Sequence, residues 1–586
     1  MQNKSKYLSF IPGVIFTIFF ICVQVYTDLE LPEYMMKIVN DGIAKMNMDV
    51  IKSTGFEMIL VAFLGVVATI FASFFASRIA AGISRNLRGD VFKQVESYSF
   101  REFDKFSTAS LITRNTNDIQ QVQMFIFMAL RMVTSAPIMA IGGINKAIKT
   151  SKDLSWILSV SIPLALVIIF LLMLVLVPIF KKVQTYIDRL NKVSRENLTG
   201  IRVIRAFRNE KLEEEKFDDA NMTLTKTNIK LNRIMVLIMP ITMLILNFTQ
   251  LAIVWFGAKK IGINGLQIGN IMAFISYSMQ VMFSFIMISM ISIILPRAIV
   301  SWKRIKEVLD TQTSIQNNNV AYSEPLNDKD NNAINKRESV HSVKFNNVSF
   351  SYPDASEKVL DGIDFEAKKG EITAIIGSTG CGKSTLINLI PRFYDVTDGD
   401  ILINGRNVKD YDLNYLHDII GYVPQKAVLF TGTIESNLKL GKQDATEEEV
   451  KLAAQISQSE QFILDKEDGY DSEISQGGTN VSGGQKQRLS IARALIKKPD
   501  IYIFDDSFSA LDFKTDRVLR EALKPYTANA ITFIVAQRVS TIMNANQIIV
   551  LNDGVIVGKG THKELLQSCE VYKEIASSQL SKEELE

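Results

Sequence analysis

The segment GSTGCGKST, Gly377–Thr385, has residue types and spacing suited to holding a polyphosphate. It fits G-x-x-x-x-G-K-[ST] and follows the strand-like run ITAIIG. Across Gly377, Ser378, Thr379, Gly380, Cys381 and Gly382, glycines let successive backbone N–H groups turn inward onto phosphate oxygens. Lys383 is placed to neutralise the β- and γ-phosphates and Ser384 to ligate Mg2+, with Thr385 entering the helix that follows. Cys381 reads as a small filler of the loop rather than a catalytic thiol. A second segment, VSGGQKQR (Val481–Arg488), opens a predicted helix with a Ser-Gly-Gly turn, another anion-binding helix start. The cofactors expected are ATP and Mg2+.

Two kinds of scaffold must position these groups. From residue 343 onward, β-type runs such as VKFNNVSFSY, IIGYVPQ, IYIFDD and ITFIVAQ alternate with helix-type runs such as SGGQKQRLSIARALIK. That order predicts a mixed α/β P-loop nucleotide-binding domain. Residues 1–310 are strongly apolar, and six stretches are long enough to cross a bilayer: 7–26, 58–77, 132–148, 157–180, 234–257 and 268–295. The third is the weakest, because Arg131 sits at its edge and Gly142–Gly143 interrupts it. The predicted fold class is therefore a transmembrane domain of six long α-helices followed by the α/β domain.

Charge orients the spans. Seven Lys and Arg lie between spans two and three, and thirteen between spans four and five, against two or three in each other loop. Those two basic segments, and both termini, are expected in the cytoplasm. The segments are also too long for hairpins and read as helical extensions, turning near Tyr98–Lys105 and Ala206–Lys211. A net charge of +3 over 586 residues gives no argument for nucleic acid. Cys22, Cys381 and Cys569 match no metal-ligand spacing and no disulfide framework.

With both glycine motifs behind six spans, the chain resembles the ATP-binding cassette family, specifically its exporter branch. The resemblance implies roles residue by residue. Tyr352 in SFSYP corresponds to the aromatic that stacks on adenine. Gln425 in YVPQ corresponds to the glutamine that senses Mg2+ and attacking water, and Asp505, closing IYIF, to the Mg2+-associated aspartate. Ser509–Asp512 corresponds to the loop that signals between cassettes, and Glu473 to an acid facing the cytoplasmic tips. Two cassettes of the family face each other head to tail, so Ser482, Gly483, Gly484 and Gln485 would complete the site of a partner.

Two positions depart from the family pattern. Asp506 stands where glutamate polarises water, and Gln537 where histidine is expected. Losing one methylene retracts the carboxylate by about an ångström, a displacement that can cost on the order of a hundredfold in rate. Gln537 can hydrogen-bond a phosphate but does not titrate near neutral pH. The same changes mark one subunit of heterodimeric bacterial multidrug exporters. The resemblance thus implies an ATP-coupled translocase in the bacterial cytoplasmic membrane whose own site binds ATP and hydrolyses it weakly. A non-identical partner would carry the glutamate and histidine.

The cargo is less legible. Met272, Phe274, Tyr277, Met279, Met282, Phe283, Phe285, Met287 and Met290 in the sixth span suit a surface accepting varied amphipathic compounds, or ordinary helix packing. Asn247, Gln250 and Gln280 are cavity candidates. Asp28, Glu30 and Glu33 form either a cation-attracting mouth or a solvated turn. Lipid or peptide export by the same fold, a non-transporting membrane sensor and an ATP-gated channel are the alternatives. The expected domains are the transmembrane part at 1–310, an Asn-rich linker at 311–340, the cassette at 341–576 and a solvated tail at 577–586.

Overall fold

The computed structural model describes residues 6–261, 266–317, 339–353, 355 and 357–580. The chain divides into two units, one of residues 1–96 and 108–311, the other of 97–107 and 312–586. Residues 318–338 of the expected linker and 581–586 of the expected tail lie outside the described residues.

In the first unit, six helices are long and apolar enough to cross a membrane. They are α1 (Ile11–Lys37), α2 (Met48–Glu96), α4 (Thr108–Thr150), α5 (Ser155–Ala206), α6 (Glu210–Lys260) and α7 (Ile268–Asp310); the short α3 (Phe100–Phe106) belongs to the second unit. Helices α2, α5 and α6 run 49, 52 and 51 residues, about 75 Å at ~1.5 Å per residue, against a hydrocarbon core of about 30 Å. The basic segments are thus helical, broken at 97–99, 107 and 207–209.

Small residues set how closely these helices approach. Ala68, Ala72, Ala76 and Ala80 recur every fourth residue of α2 and are buried, a spacing that lets backbones come together in lipid. Phe20 and Phe71 stack at 5.1 Å beside that stripe. Outward side chains such as Phe63, Phe170 and Met239 are exposed on the chain and suit lipid contact.

The third span differs from expectation. It is one helical run that begins at Thr108, with π-helical turns at Arg114–Asp118 and Ala129–Val133. Arg131 sits in the second turn and donates from Nη1 to Ser73 Oγ, which satisfies a cation inside the span. Gly142 and Gly143 do not interrupt the helix. A Cβ on them would lie 2.4 Å from Leu29 Cδ1 and 2.6 Å from Val281 Cγ2, so they admit α1 and α7 against it.

The second unit holds two main sheets. The antiparallel one, in order β2-β1-β4-β5, joins β1 (Ser342–Phe350), β2 (Leu360–Lys368), β4 (Asp398–Ile403) and β5 (Arg406–Asn407). The other has six strands: β3 (Ile372–Gly377), β6 (Ile420–Val423), β7 (Ile501–Asp505), β8 (Ile531–Val535), β9 (Gln547–Asn552) and β10 (Val555–Gly560). Their order is β10-β9-β3-β8-β7-β6, parallel except for β10. Both β7 and β8 are buried along their whole length, as strands covered on two faces must be.

Register does the positioning. Val535 lies opposite both Ile375 and Asp505, and Val423 opposite Phe504. The segments leaving β3, β6, β7 and β8 therefore emerge on one carboxyl edge of the sheet, where α/β folds place their ligands.

Substituting Gly143→Leu is expected to destabilise the first unit by about 1–3 kcal/mol through overpacking against Val281. A thermal melt of the purified protein that leaves its midpoint unchanged would contradict the close approach of α4 and α7.

Candidate functional site

The loop after β3 is shaped by its glycines. A Cβ on Gly377 would stand 2.1 Å from the Leu551 carbonyl oxygen, so no side chain fits there. Gly382, at φ +98°, turns the chain into α8 (Lys383–Asn388). Ser378, Thr379 and Gly380 are exposed at the tip, and Cys381 is buried below them, as a filler would be. Lys383 folds back so that Nζ donates to the carbonyls of Gly377 at 2.9 Å and Ser378 at 2.6 Å.

Strand β7 brings two carboxylates to this loop. Ser384 Oγ donates to Asp505 Oδ1 at 2.9 Å. Asp506 follows at φ +46°, in the left-handed region that Asp and Asn tolerate better than most residues. Its amide bonds to Val535 O at 3.0 Å. Two amide side chains converge on one of its oxygens: Gln537 Nε2 donates to Oδ2 at 2.9 Å and Gln425 Nε2 at 3.2 Å. Residues from the ends of β6, β7 and β8 therefore meet at a single atom.

Both carboxyls are buried, and burial is the main force pushing their pKa values up from the ordinary aspartate value. For Asp505 the Ser384 hydrogen bond opposes the rise and the Asp506 charge adds to it. Two adjacent buried anions destabilise the fold until a cation joins them. The hydroxyl of Ser384 and the carboxylate of Asp505 are hard oxygen donors. With the Gln425 amide beside them they fit Mg2+, which uses few protein ligands and keeps water and phosphate oxygens.

The remaining residues named from sequence divide into two places. The Tyr352 hydroxyl and Thr385 Oγ1 are 2.9 Å apart, so the aromatic joins the phosphate loop. Its ring meets Phe350 and Tyr394 edge-on, at 5.0 and 5.4 Å. The Ser-Gly-Gly turn stands elsewhere. Ser482 caps α9 (Gly483–Ile496) by a reciprocal pair with Gln485, and both Ser482 and Gly483 are exposed. None of the described hydrogen bonds joins this helix start to the phosphate loop. A Cβ on Gly483 would meet nothing within 4 Å, so this turn is open to an outside ligand.

Arg538 carried no sequence signal strong enough to single it out, unlike the Ser509–Asp512 loop that it joins. Arg538 reaches from beside Gln537 to the carbonyls of Ser509 and Leu511, at 3.3 and 3.4 Å, and lies over the Phe513 ring. Asp512 caps α10 (Phe513–Thr527) through Thr515. The helix α3 sits in this unit with Phe100 4.7 Å from Phe393, and Tyr394 Oη donates to Asp104 at 2.9 Å. An aromatic chain thus runs from Phe100 through Tyr394 and Tyr352 to Thr385 of the phosphate loop.

The first unit has cavities of its own. One of about 500 Å3 is almost wholly apolar, with Phe125, Leu295 and Trp302 around Asp90, whose carboxylate accepts a hydrogen bond from Tyr7 and pairs with Lys6. A second, about 350 Å3, is lined by Met35, Met58 and Met139 beside Asp28 and Gln280. In the sixth span, Phe274, Tyr277 and Met282 are core, Met279 and Phe285 are half-buried, and Met272, Phe283 and Met287 are exposed. The Met290 side chain lies outside the described residues. Asn247 is exposed and Gln250 half-buried. Glu30 and Glu33 are neither a free mouth nor a solvated turn, because Lys146 bridges both at 2.8 and 2.6 Å.

Comparison with known proteins follows the same division. Residues 14–285 match the ABC transporter transmembrane region, and residues 360–509 match the ABC transporter family of ATP-binding domains. An uncharacterized ABC transporter ATP-binding protein of Mycobacterium tuberculosis is 39% identical over 95% of this chain and 94% of its own. The Bacillus subtilis protein YfiB, also uncharacterized, is 36% identical over 100% and 99%. An ATP-dependent lipid A-core flippase of Desulfotalea psychrophila is 32% identical over 84% and 83%. A bacterial Atm1-family ABC exporter, solved with ATP bound, shares the fold at TM-score 0.78 and 24% identity, over 97% of this chain and 98% of that one.

Stability should report the buried charge pair. A raised carboxyl pKa means stability that is complete below the ordinary aspartate range and is lost as pH rises through the raised value. Asp505→Asn, free of Mg2+ and nucleotide, is expected to melt about 2–4 °C higher than the parent at pH 7.5, with the gap narrowing toward pH 5. An equal gap at both pH values would show that charge is not its cause.

Proposed function

The chain belongs to the ATP-binding cassette transporter family, and we propose that it is the degenerate-site half of a heterodimeric exporter of amphipathic compounds. The observation that carries this reading is the state of Asp506, whose Oδ2 is shared by two glutamine amides where a glutamate and a histidine would set up hydrolysis. The membrane half at 1–310 would form the translocation path and the cassette at 341–576 would bind ATP.

In this reading Lys383 exchanges its bonds to the Gly377 and Ser378 carbonyls for phosphate oxygens, while Tyr352 supports the base. When bound by Ser384, Gln425 and Asp505, Mg2+ would neutralise charge on the transferred phosphoryl group. Asp506 is a poor base because its side chain is one methylene short of the usual glutamate. The left-handed backbone there favours aspartate, so the site is consistent with aspartate at that position rather than with a damaged glutamate site.

The exposed signature, Ser482 to Gln485, supports completion of a second cassette's site. A non-identical subunit carrying the glutamate and histidine would then hydrolyse ATP there. Closure of the two cassettes would reach the membrane half through α3, along the rings from Tyr352 to Phe100. The two apolar cavities, one holding an acid and one lined by thioethers, support cargo with an apolar body and a polar group. The location proposed is the bacterial plasma membrane, with both termini in the cytoplasm. A lipid as cargo is the second reading, favoured by the likeness to the lipid A-core flippase.

Turnover tests the proposal directly. The purified chain alone is expected to hydrolyse ATP slowly, and Asp506→Glu with Gln537→His to raise the rate on the order of tenfold to a hundredfold. Fast hydrolysis by the parent chain, abolished by Asp506→Asn, would refute the degenerate site. Phe100→Ala is expected to leave ATP binding intact while lowering cargo-stimulated turnover and transport into inside-out vesicles severalfold. Undiminished transport would remove α3 from the path.

A further inference from the structure

The segment that presents Gln537 is held at both ends by one side chain from the far end of the chain. Gln579 Nε2 donates to the Gln537 carbonyl at 2.9 Å, and Gln579 Oε1 accepts from the Val539 amide at 2.8 Å. A single amide therefore spans the turn 537–539, across 40 and 42 residues of sequence. We propose that Gln579 is a positioning residue that fixes the 537–539 turn and so aims the Gln537 amide at the reacting phosphate and Asp506.

The physical need is plain. Val539 is buried and begins the short helix Val539–Ile542, so its N–H has no partner within that helix. Leaving such a donor unpaired costs free energy, and Gln579 removes that cost. The same amide gives its own donor to the preceding carbonyl, which matches both bonding directions at once.

Gln579 is itself well anchored. It follows α11 (Glu570–Ser577), whose Tyr572 and Ala576 are fully buried in the core below. Its backbone N–H and that of Leu580 both return to the Ala576 carbonyl, at 3.1 and 2.9 Å, and Leu580 packs on the same core. The start of the expected solvated tail is thus a strut. On its other side the turn is tied by Arg538 to the Ser509–Asp512 loop. Without the strut the turn keeps Arg538 on one side, and Arg520 holds only the carbonyls of Ser540 and Thr541 beyond it, so Gln537 gains freedom to leave Asp506.

The inference rests on Asp506 and Gln537 facing the nucleotide, and its test separates the two claims. Full-length protein in lipid nanodiscs is assayed for single-turnover hydrolysis of radiolabelled ATP, for ATP half-saturation and for melting temperature. Gln579→Ala is expected to slow hydrolysis about threefold to tenfold at unchanged half-saturation, because the phosphate loop is untouched. Gln579→Glu keeps the acceptor for Val539 and loses the donor, and is expected to fall between. In a Gln537→Ala background the change Gln579→Ala is expected to have no further effect on the rate, since the group it aims is gone. An equal slowing in both backgrounds would overturn the proposal. So would an unchanged or faster rate, or a shift confined to half-saturation or melting temperature. A fast parent rate would refute the degenerate site and still leave the cycle readable.

Discussion

Two adjacent carboxylates, Asp505 and Asp506, are buried at the end of one strand, and the surrounding structure is organised by the need to manage their charge. Buried anions repel and lose hydration, which is why burial raises the pKa of both. The structure answers with hydrogen-bond donors, and the charges of Lys383 and Arg538 act in the same direction. Ser384 bonds to the first carboxylate, and Gln425 and Gln537 to the second. Each donor comes from a different segment at the carboxyl edge of the sheet, so parallel register is what makes the arrangement possible. In the proposed function a divalent cation and a polyphosphate would complete it from outside.

The choice of aspartate and glutamine at 506 and 537 acts within that frame. Glutamine donates without titrating, so its own side of the Asp506 contact keeps one form across neutral pH. Aspartate accepts the left-handed backbone with little strain. Together they make a site that keeps its contacts at little backbone cost.

Within the second unit a different kind of contact leads toward the phosphate loop. Phe100, Phe393, Tyr394 and Tyr352 touch ring to ring, and aromatic edges resist sliding better than isolated methyl contacts. The Tyr352 hydroxyl ends this chain at the phosphate loop. Within the membrane unit the alanine stripe of α2 and the paired glycines of α4 hold helices close. Their neighbours with large side chains point outward.

Much of this protein is written locally. Long charge-free apolar runs leave helices as the only spanning structure, because lipid offers backbone groups no partners. The phosphate loop is legible because its glycines and Lys383 serve a need met within nine consecutive residues, 377–385. The departures at Asp506 and Gln537 are equally local. What sequence could not show is which groups share an atom. Gln425, Asp506 and Gln537 meet only because β6, β7 and β8 lie side by side in register. Arg131 reads as a defect until Ser73 stands opposite it, and Gly142–Gly143 as a break until Leu29 and Val281 fill the space above them. Gln579 sits in a polar tail with no motif around it, yet it closes a turn forty residues away. Chain composition and spacing determined the two-part architecture and the chemistry of the loop. Tertiary packing alone decided the partners of each charge and amide, since hydrogen bonds act over about 3 Å whatever the distance along the chain.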